Sequence, residues 1–170
     1  NIAFSVSLYS GQMCTAPQNI FIAEEVKTAE GVLSFDEVAA HIVEAVQGVI
    51  NHPKMGAGTL GNVQNDATIK RISKVGGNVL LAPQKVENPE AVNARIQSPT
   101  LIATEASSTE YRGECFGPLV FLVKTENTVE SVAIASTLSA EKGAITCLAF
   151  STDADTQEFI EEQMNEVFVP

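Results

Sequence analysis

Histidine, cysteine and cationic residues are scarce in these 170 residues, and each scarcity closes off a class of function. With only two histidines, a histidine-based metal site or a Cys-His nucleophile pair has little to draw on. His41 falls on a helical pattern and His52 on a turn beside Pro53, where ordinary surface or helix-end roles are expected. Three cysteines, Cys14, Cys115 and Cys147, form no CxxC spacing and leave an odd count, which argues against a disulfide framework or a zinc site. A reducing, cytoplasmic setting follows from that usage. Ten Lys and Arg face 21 Asp and Glu, a net charge of −11, with no basic cluster. Nucleic acid and anionic membrane both require such clusters and are excluded as expected partners. No apolar run approaches the roughly 20 residues needed to cross a bilayer, and no signal peptide opens the chain. Internal repeats, low-complexity tracts and clear linkers are also lacking.

What is present is apolar material. Hydrophobic residues make up 45% of the chain and charged ones 18%, with mean hydropathy +0.11. That is rich for a free-standing domain, so some surface is expected to meet a partner. The length fits one domain over residues 1–170. Asn1 rather than Met stands first, and a piece of a longer protein is expected.

Along the chain, Asn19 to Ala23 reads as a short buried strand. Ser34-Phe35-Asp36-Glu37 is a capping box, in which the serine accepts a free amide while Glu37 reaches back. The helix behind it carries Val38, Ala39, Ile42, Val43, Val46, Val49 and Ile50 at helical spacing and ends near Asn51-His52-Pro53. A helix is expected around Asn65 to Val75, with Gly76-Gly77 as its C-cap, then a strand over Asn78 to Ala82. Residues 83–97 are polar, with a helical turn after Pro89. Apolar runs at 119–124 and at Ala144–Phe150 read as buried strands. Between and after the last two, helices are expected over Thr128–Lys142, closed by Gly143, and over Ser151–Asn165. Strands alternating with helices, with continuously apolar strands, predict an α/β fold with an open, mostly parallel, doubly wound sheet.

Gly56-Ala57-Gly58-Thr59-Leu60-Gly61 matches the G-x-G-x-x-G dinucleotide fingerprint in its letters. The fingerprint needs a strand before it and an acidic residue about 20 positions after it. A helix and Pro53 precede it here, and Val79, Leu80 and Leu81 stand where the acid should be. A flexible loop into the next helix is the better expectation.

Two stretches concern chemistry. In Ser10-Gly11-Gln12-Met13-Cys14-Thr15-Ala16-Pro17, small residues deliver one cysteine at a turn, and the proline prevents a helix from simply continuing. That arrangement suits a thiol at a pocket mouth, but a buried structural cysteine is the commoner fate, and on this stretch alone the better one. The second stretch is Gly113-Glu114-Cys115-Phe116-Gly117-Pro118. Gly-Gln-x-Cys, followed about a hundred residues later by Glu-x-Phe-Gly-Pro, resembles the catalytic domain of the aldehyde dehydrogenase superfamily. The wording from Gly11 to Asn19 is most similar to the branch that works in phenylacetate degradation.

The resemblance implies an NAD- or NADP-dependent oxidation of an aldehyde to an acid. Cys14 is implied as the nucleophile that forms a thiohemiacetal, loses hydride to a nicotinamide and leaves a thioester for water. Its own backbone amide would help hold the oxyanion. Glu114 is implied as the acceptor for the nicotinamide ribose hydroxyls, Phe116 as the aromatic packing against the nicotinamide end, and Gly117 and Pro118 as the turn that aims them. Residues 1–9, β-prone by composition, would be a helix leading to the cysteine turn, and the 56–61 glycines a connection. Cys115 and Cys147 read as small core residues. The family's general-base glutamate, oxyanion asparagine and nucleotide domain lie outside these residues, so the isolated chain is expected to be inactive. The complete protein is expected to be a homo-oligomer. The Cys14 and Glu114 motifs should meet at one end of the sheet, which for open α/β sheets means the carboxyl ends of its strands. Two other readings remain: a thiol-based acyl-transfer or hydrolytic domain using Cys14 without nicotinamide, and a non-catalytic assembly domain of the same fold.

Overall fold

The computed structural model describes residues 1–170. Helix α1 is Ile2–Ser7, and a 3-10 turn over Leu8–Gly11 leads to the cysteine segment. Strand β1 (Asn19–Ala23) follows, then a hairpin of β2 (Glu25–Thr28) and β3 (Gly31–Ser34), and helix α2 (Phe35–Ile50). Next come α3 (Gly56–Thr59), α4 (Asp66–Ile72) and β4 (Asn78–Leu81). A two-residue hairpin of β5 (Lys85–Val86) and β6 (Ile96–Gln97) precedes β7 (Thr100–Glu105). The chain ends with β8 (Leu119–Thr125), α5 (Thr128–Lys142) and α6 (Ala154–Asn165).

The main sheet has the order β1-β8-β7-β4. β8 runs parallel to both β1 and β7, while β4 pairs antiparallel with β7, so the sheet is mostly parallel as expected. β8 is central, and its apolar run Leu119 to Val123 is buried at every position. Alternation sends Val120 and Leu122 to one face, where Val6 of α1 and Ala39, Ile42 and Val46 of α2 cover them. Leu119, Phe121 and Val123 face the other way, against Ile72, Tyr111 and Leu138. A strand covered on both sides must be apolar throughout, which is why no polar alternation marks it in sequence.

The α2 capping box forms in full: Glu37 N–H donates to Ser34 Oγ, and Ser34 N–H donates to the Glu37 carboxylate at 2.8 Å. Those bonds hold the Glu37 carboxyl below its ordinary value, the Ser34 amide being the largest cause. α5 has the expected bounds, and Gly143 closes it at φ 80°. No helix is long and apolar enough to cross a membrane.

Several expectations change. Ala144 to Phe150 is not a buried strand: Ile145, Leu148 and Phe150 are exposed, and no neighbouring strand takes the backbone groups. The segment is tied instead by Cys147 N–H donating to Pro170 O at 2.9 Å. An apolar run becomes a strand only where a ladder partner accepts it, and β-propensity alone cannot supply one. Cys147 is therefore half-buried beside that tie, not inside a strand. α4 ends at Ile72 with Ser73 as its C-cap, short of the Gly76-Gly77 pair, and Gly77 at φ 124° turns the chain into β4 instead. β1, expected to be buried, lies at the sheet edge with only Ile22 fully covered.

The 56–61 glycines are not a flexible loop either. Gly56–Thr59 is a helical turn folded back on the end of α2, where a side chain on Gly56 would collide with Ile50 O. A Cβ on Gly61 would stand 2.7 Å from Tyr9 O. Gly56 and Gly61 thus serve close backbone packing, while Gly58 faces open space, and Gly61 packs against the turn that carries the cysteine.

Candidate functional site

The cysteine turn is built from three consecutive left-handed residues, Tyr9 at φ 50°, Ser10 at 56° and Gly11 at 64°. Two of them are not glycine, and each such residue costs on the order of 1–3 kcal/mol. Side-chain hydrogen bonds from Ser10 and Gln12 offset that cost. Ser10 Oγ accepts from Gly61 N–H at 3.1 Å and donates to Gln97 O at 2.8 Å. Gln12 Nε2 donates to Tyr9 O at 2.9 Å and to Asn62 O at 3.2 Å. The turn is thereby fixed from two separate parts of the chain, Gly61-Asn62 and Gln97.

Beyond it, Cys14 is exposed, so the structural-core alternative does not describe it. Cys14, Glu114, Cys115 and Phe116 line one cavity of about 90 Å³, floored by Val6, Leu119 and Val120. The two motifs, a hundred residues apart, are thus brought together. Their loops touch through backbone: a Cβ on Gly11 would stand 2.5 Å from Gly117 O. The Cys14 N–H donates to no backbone group of the chain and is free to bind a ligand atom.

Glu114 is exposed, and neither ion pair of the chain, Arg95–Asp66 or Lys124–Glu24, occupies its carboxylate. The Phe116 ring is 45% exposed, a large fraction for an aromatic beside a sheet. Its carbonyl accepts from Arg71 Nη2 of α4, which puts a guanidinium beside the loop. Cys115 lines the cavity and also packs half-buried against the Ile72–Phe121 cluster. Burial pushes its thiol up, opposed by Arg71. Cys147 is likewise pushed up by burial.

The site is at the amino ends of the parallel strands, not the expected carboxyl ends. Cys14 precedes β1 and Phe116 precedes β8, and the parallel register that pairs Asn19 with Phe121 sets their leading loops side by side. The carboxyl ends hold a different cavity of about 300 Å³, ringed by Glu24, Glu105, Glu126 and Glu130 around Lys124. That surplus of negative charge repels anionic ligands. The usual rule for open α/β sheets fails here because both motif loops lead into strands.

Sequence reasoning missed Gln18 and Arg71. Gln18 sits inside the quoted cysteine stretch, but its contacts lie 95 and 97 residues away. Arg71 reaches Phe116 across 45 residues with no local signal.

Residues 1–167 match the model of the aldehyde dehydrogenase family. The chain belongs to the aldehyde dehydrogenase family. It is similar to an NAD-dependent aldehyde dehydrogenase from Burkholderia multivorans, with 39% identity, a TM-score of 0.94 and 99% of this chain covered. It spans 31% of that protein's chain. Fold similarity extends to an NADP-dependent glyceraldehyde-3-phosphate dehydrogenase from Bacillus halodurans, at 17% identity and TM-score 0.64, with 96% of this chain and 32% of that one covered. An NAD-dependent benzaldehyde dehydrogenase from Corynebacterium glutamicum matches at 21% identity and TM-score 0.59, covering 96% of this chain and 34% of that one. No curated protein sequence matches. Membership of the aldehyde dehydrogenase family agrees with the expectation drawn from the two motifs, and the mixed, mostly parallel sheet with that drawn from the alternation of strands and helices.

Proposed function

We propose that this chain is the catalytic domain of a longer NAD(P)-dependent aldehyde dehydrogenase, with Cys14 as its nucleophile. The observation that supports this most is the shared cavity of Cys14, Glu114 and Phe116. The donor set fits a nicotinamide nucleotide. Glu114 offers an exposed carboxylate outside both ion pairs, suited to accept from ribose hydroxyls, and Phe116 offers an exposed apolar ring to a planar group.

In this reading the Cys14 thiolate adds to the aldehyde carbon, a C–S bond forms and the carbonyl pair moves onto oxygen. The free Cys14 N–H donates to that oxygen and stabilises its charge. A bound nicotinamide supplies the hydride acceptor that leaves a thioester on Cys14. Glu114 and Phe116 would hold that cofactor, and water then cleaves the acyl–sulfur bond to release the acid. The Gly11-to-Asn19 wording favours the phenylacetate-degrading branch. A cytoplasmic homo-oligomer completes the proposal. Because the chain spans 31% of the Burkholderia protein, the isolated 170 residues are expected to fold without oxidising aldehydes.

Two substitutions in the complete enzyme test the roles. Cys14→Ala removes the atom that forms the thiohemiacetal and should abolish NAD(P)H production. Glu114→Gln should spare Cys14 acylation by an activated ester and weaken the cofactor step by roughly one to two powers of ten, the worth of a charge-assisted hydrogen bond. Near-normal NAD(P)H production by Cys14→Ala would sink the proposal.

A further inference from the structure

Gln18 stands four residues past Cys14, on the segment entering β1, and its side-chain amide reaches mainly to the opposite loop. Its Oε1 accepts from Cys115 N–H at 2.6 Å, and its Nε2 donates to Gly113 O at 2.9 Å. The same Nε2 lies 3.3 Å from Tyr111 O and 3.3 Å from Asn19 Oδ1. The orientation of the amide is dictated by its partners: a backbone N–H must meet the oxygen, and the carbonyls must meet the nitrogen. Gly113 and Cys115 are the residues immediately before and after Glu114. One side chain thus grips the backbone on both sides of Glu114, while its own backbone O accepts from Phe121 N–H at 2.8 Å and anchors it to β8.

Arg71 at Phe116 O, the packing of Cys115 and the Gly11–Gly117 contact hold the loop after Glu114, but before it the loop depends on this grip. Gly113 has nothing within 4 Å of where a Cβ would stand, and Glu114 itself is exposed. A loop with a glycine hinge and an unpaired carboxylate would sample many positions, and a hydrogen-bonding group is useful only when its supporting partners fix it. Asn19 Nδ2 donates to Tyr111 O at 3.0 Å, which steadies the start of the loop but does not reach Glu114's neighbours.

We propose that Gln18 is a positioning residue that sets Glu114 relative to Cys14, so that the cofactor-side carboxylate and the nucleophile keep a fixed separation. The proposal rests on the cofactor reading of Glu114 given above. It assigns Gln18 no contact with substrate. Its effect should fall on cofactor affinity and not on the reactivity of the thiol.

The test uses the complete enzyme with Gln18→Met, which keeps length and loses both hydrogen bonds, and Gln18→Glu, which keeps the acceptor for Cys115 N–H. Two quantities are measured: KM for NAD(P)+ in aldehyde oxidation, and the rate of Cys14 acylation by p-nitrophenyl acetate without cofactor. Gln18→Met should raise cofactor KM about tenfold, the equivalent of one to two lost hydrogen bonds, with acylation within about twofold of wild type. Gln18→Glu should recover part of that loss. An unchanged cofactor KM overturns the proposal, and so does a parallel fall in acylation, which would mark a general structural role. Should Gln18→Met fail to fold, Gln18→Glu decides alone: raised KM with intact acylation supports the proposal, and any other result overturns it. Glu114→Gln is run alongside. If it leaves cofactor KM unchanged, the cofactor reading of Glu114 fails and takes the Gln18 proposal with it. If it raises KM while Gln18→Met does not, only the Gln18 proposal fails.

Discussion

Gly11 and Gly117 meet backbone to backbone, so closely that a Cβ on Gly11 would stand 2.5 Å from Gly117 O. This contact joins the two motif loops, and both residues have positive φ, 64° and 127°. Gly11→Ala therefore combines a clash with a left-handed conformation that alanine disfavours. Stability should fall by about 1–3 kcal/mol, and kcat/KM of the complete enzyme should fall at least about tenfold as the loops separate. Thermal unfolding and steady-state kinetics check both. A variant with wild-type activity would show that the loop-to-loop contact is dispensable.

The Ser34 cap gives the opposite profile. It starts α2 near Glu24 O at the carboxyl end of β1, where Phe35 N–H donates at 3.0 Å, on the far side of the sheet from Cys14. Ser34→Ala should cost about 1 kcal/mol in urea unfolding. The KM values should not change, since α2 reaches the site only through the core.

Acid should weaken the same cap. Glu37 is held below its ordinary value of 4.5 in the folded chain by the Ser34 amide and then the Ser34 hydroxyl. A lowered folded pKa means this stabilisation is present above about pH 4.5 and is lost as pH falls from there through the folded value. Stability measured over that window should decline less steeply in Glu37→Gln than in wild type. Identical slopes would mean the carboxylate makes no such bond in solution.

How much of this was legible in the sequence depends on how far each interaction reaches. The α2 cap is a pattern spanning four residues, and α5 is bounded by Asn127 and Gly143, so local chemistry marks both. β8 was legible because burial on both faces leaves only apolar residues. Ala144 to Phe150 misled because its apolar residues imitate β8, whereas a strand also requires a ladder neighbour that no local pattern encodes. Within the site, the fixed letters around Cys14 and Glu114 were visible. Gln18 and Arg71 were not, since a glutamine or an arginine acquires its partners only when the chain has folded. The end of the sheet was misjudged for a related reason: only the parallel register of β1 on β8 reveals that both loops lead into their strands.

The three thiols should differ in reactivity. Cys14 is exposed, whereas Cys115 and Cys147 are half-buried and burial pushes both thiols up from 9.0, making them poorer sources of thiolate. Brief treatment with iodoacetamide near neutral pH, followed by peptide mapping, should label Cys14 first. Prior labelling of Cys115 would contradict the described packing of its side chain against Ile72 and Phe121.

The proposed function turns on covalent acylation of Cys14. The direct measurement is mass spectrometry of the complete enzyme quenched with acid during turnover of an aldehyde that it oxidises with NAD(P)+, followed by proteolysis and sequencing of the modified peptide. The account predicts an added acyl mass on the peptide containing Cys14, absent without cofactor and absent in Cys14→Ala. An acyl group on Cys115, on Cys147 or on a residue outside this chain, with Cys14 unmodified, would contradict it.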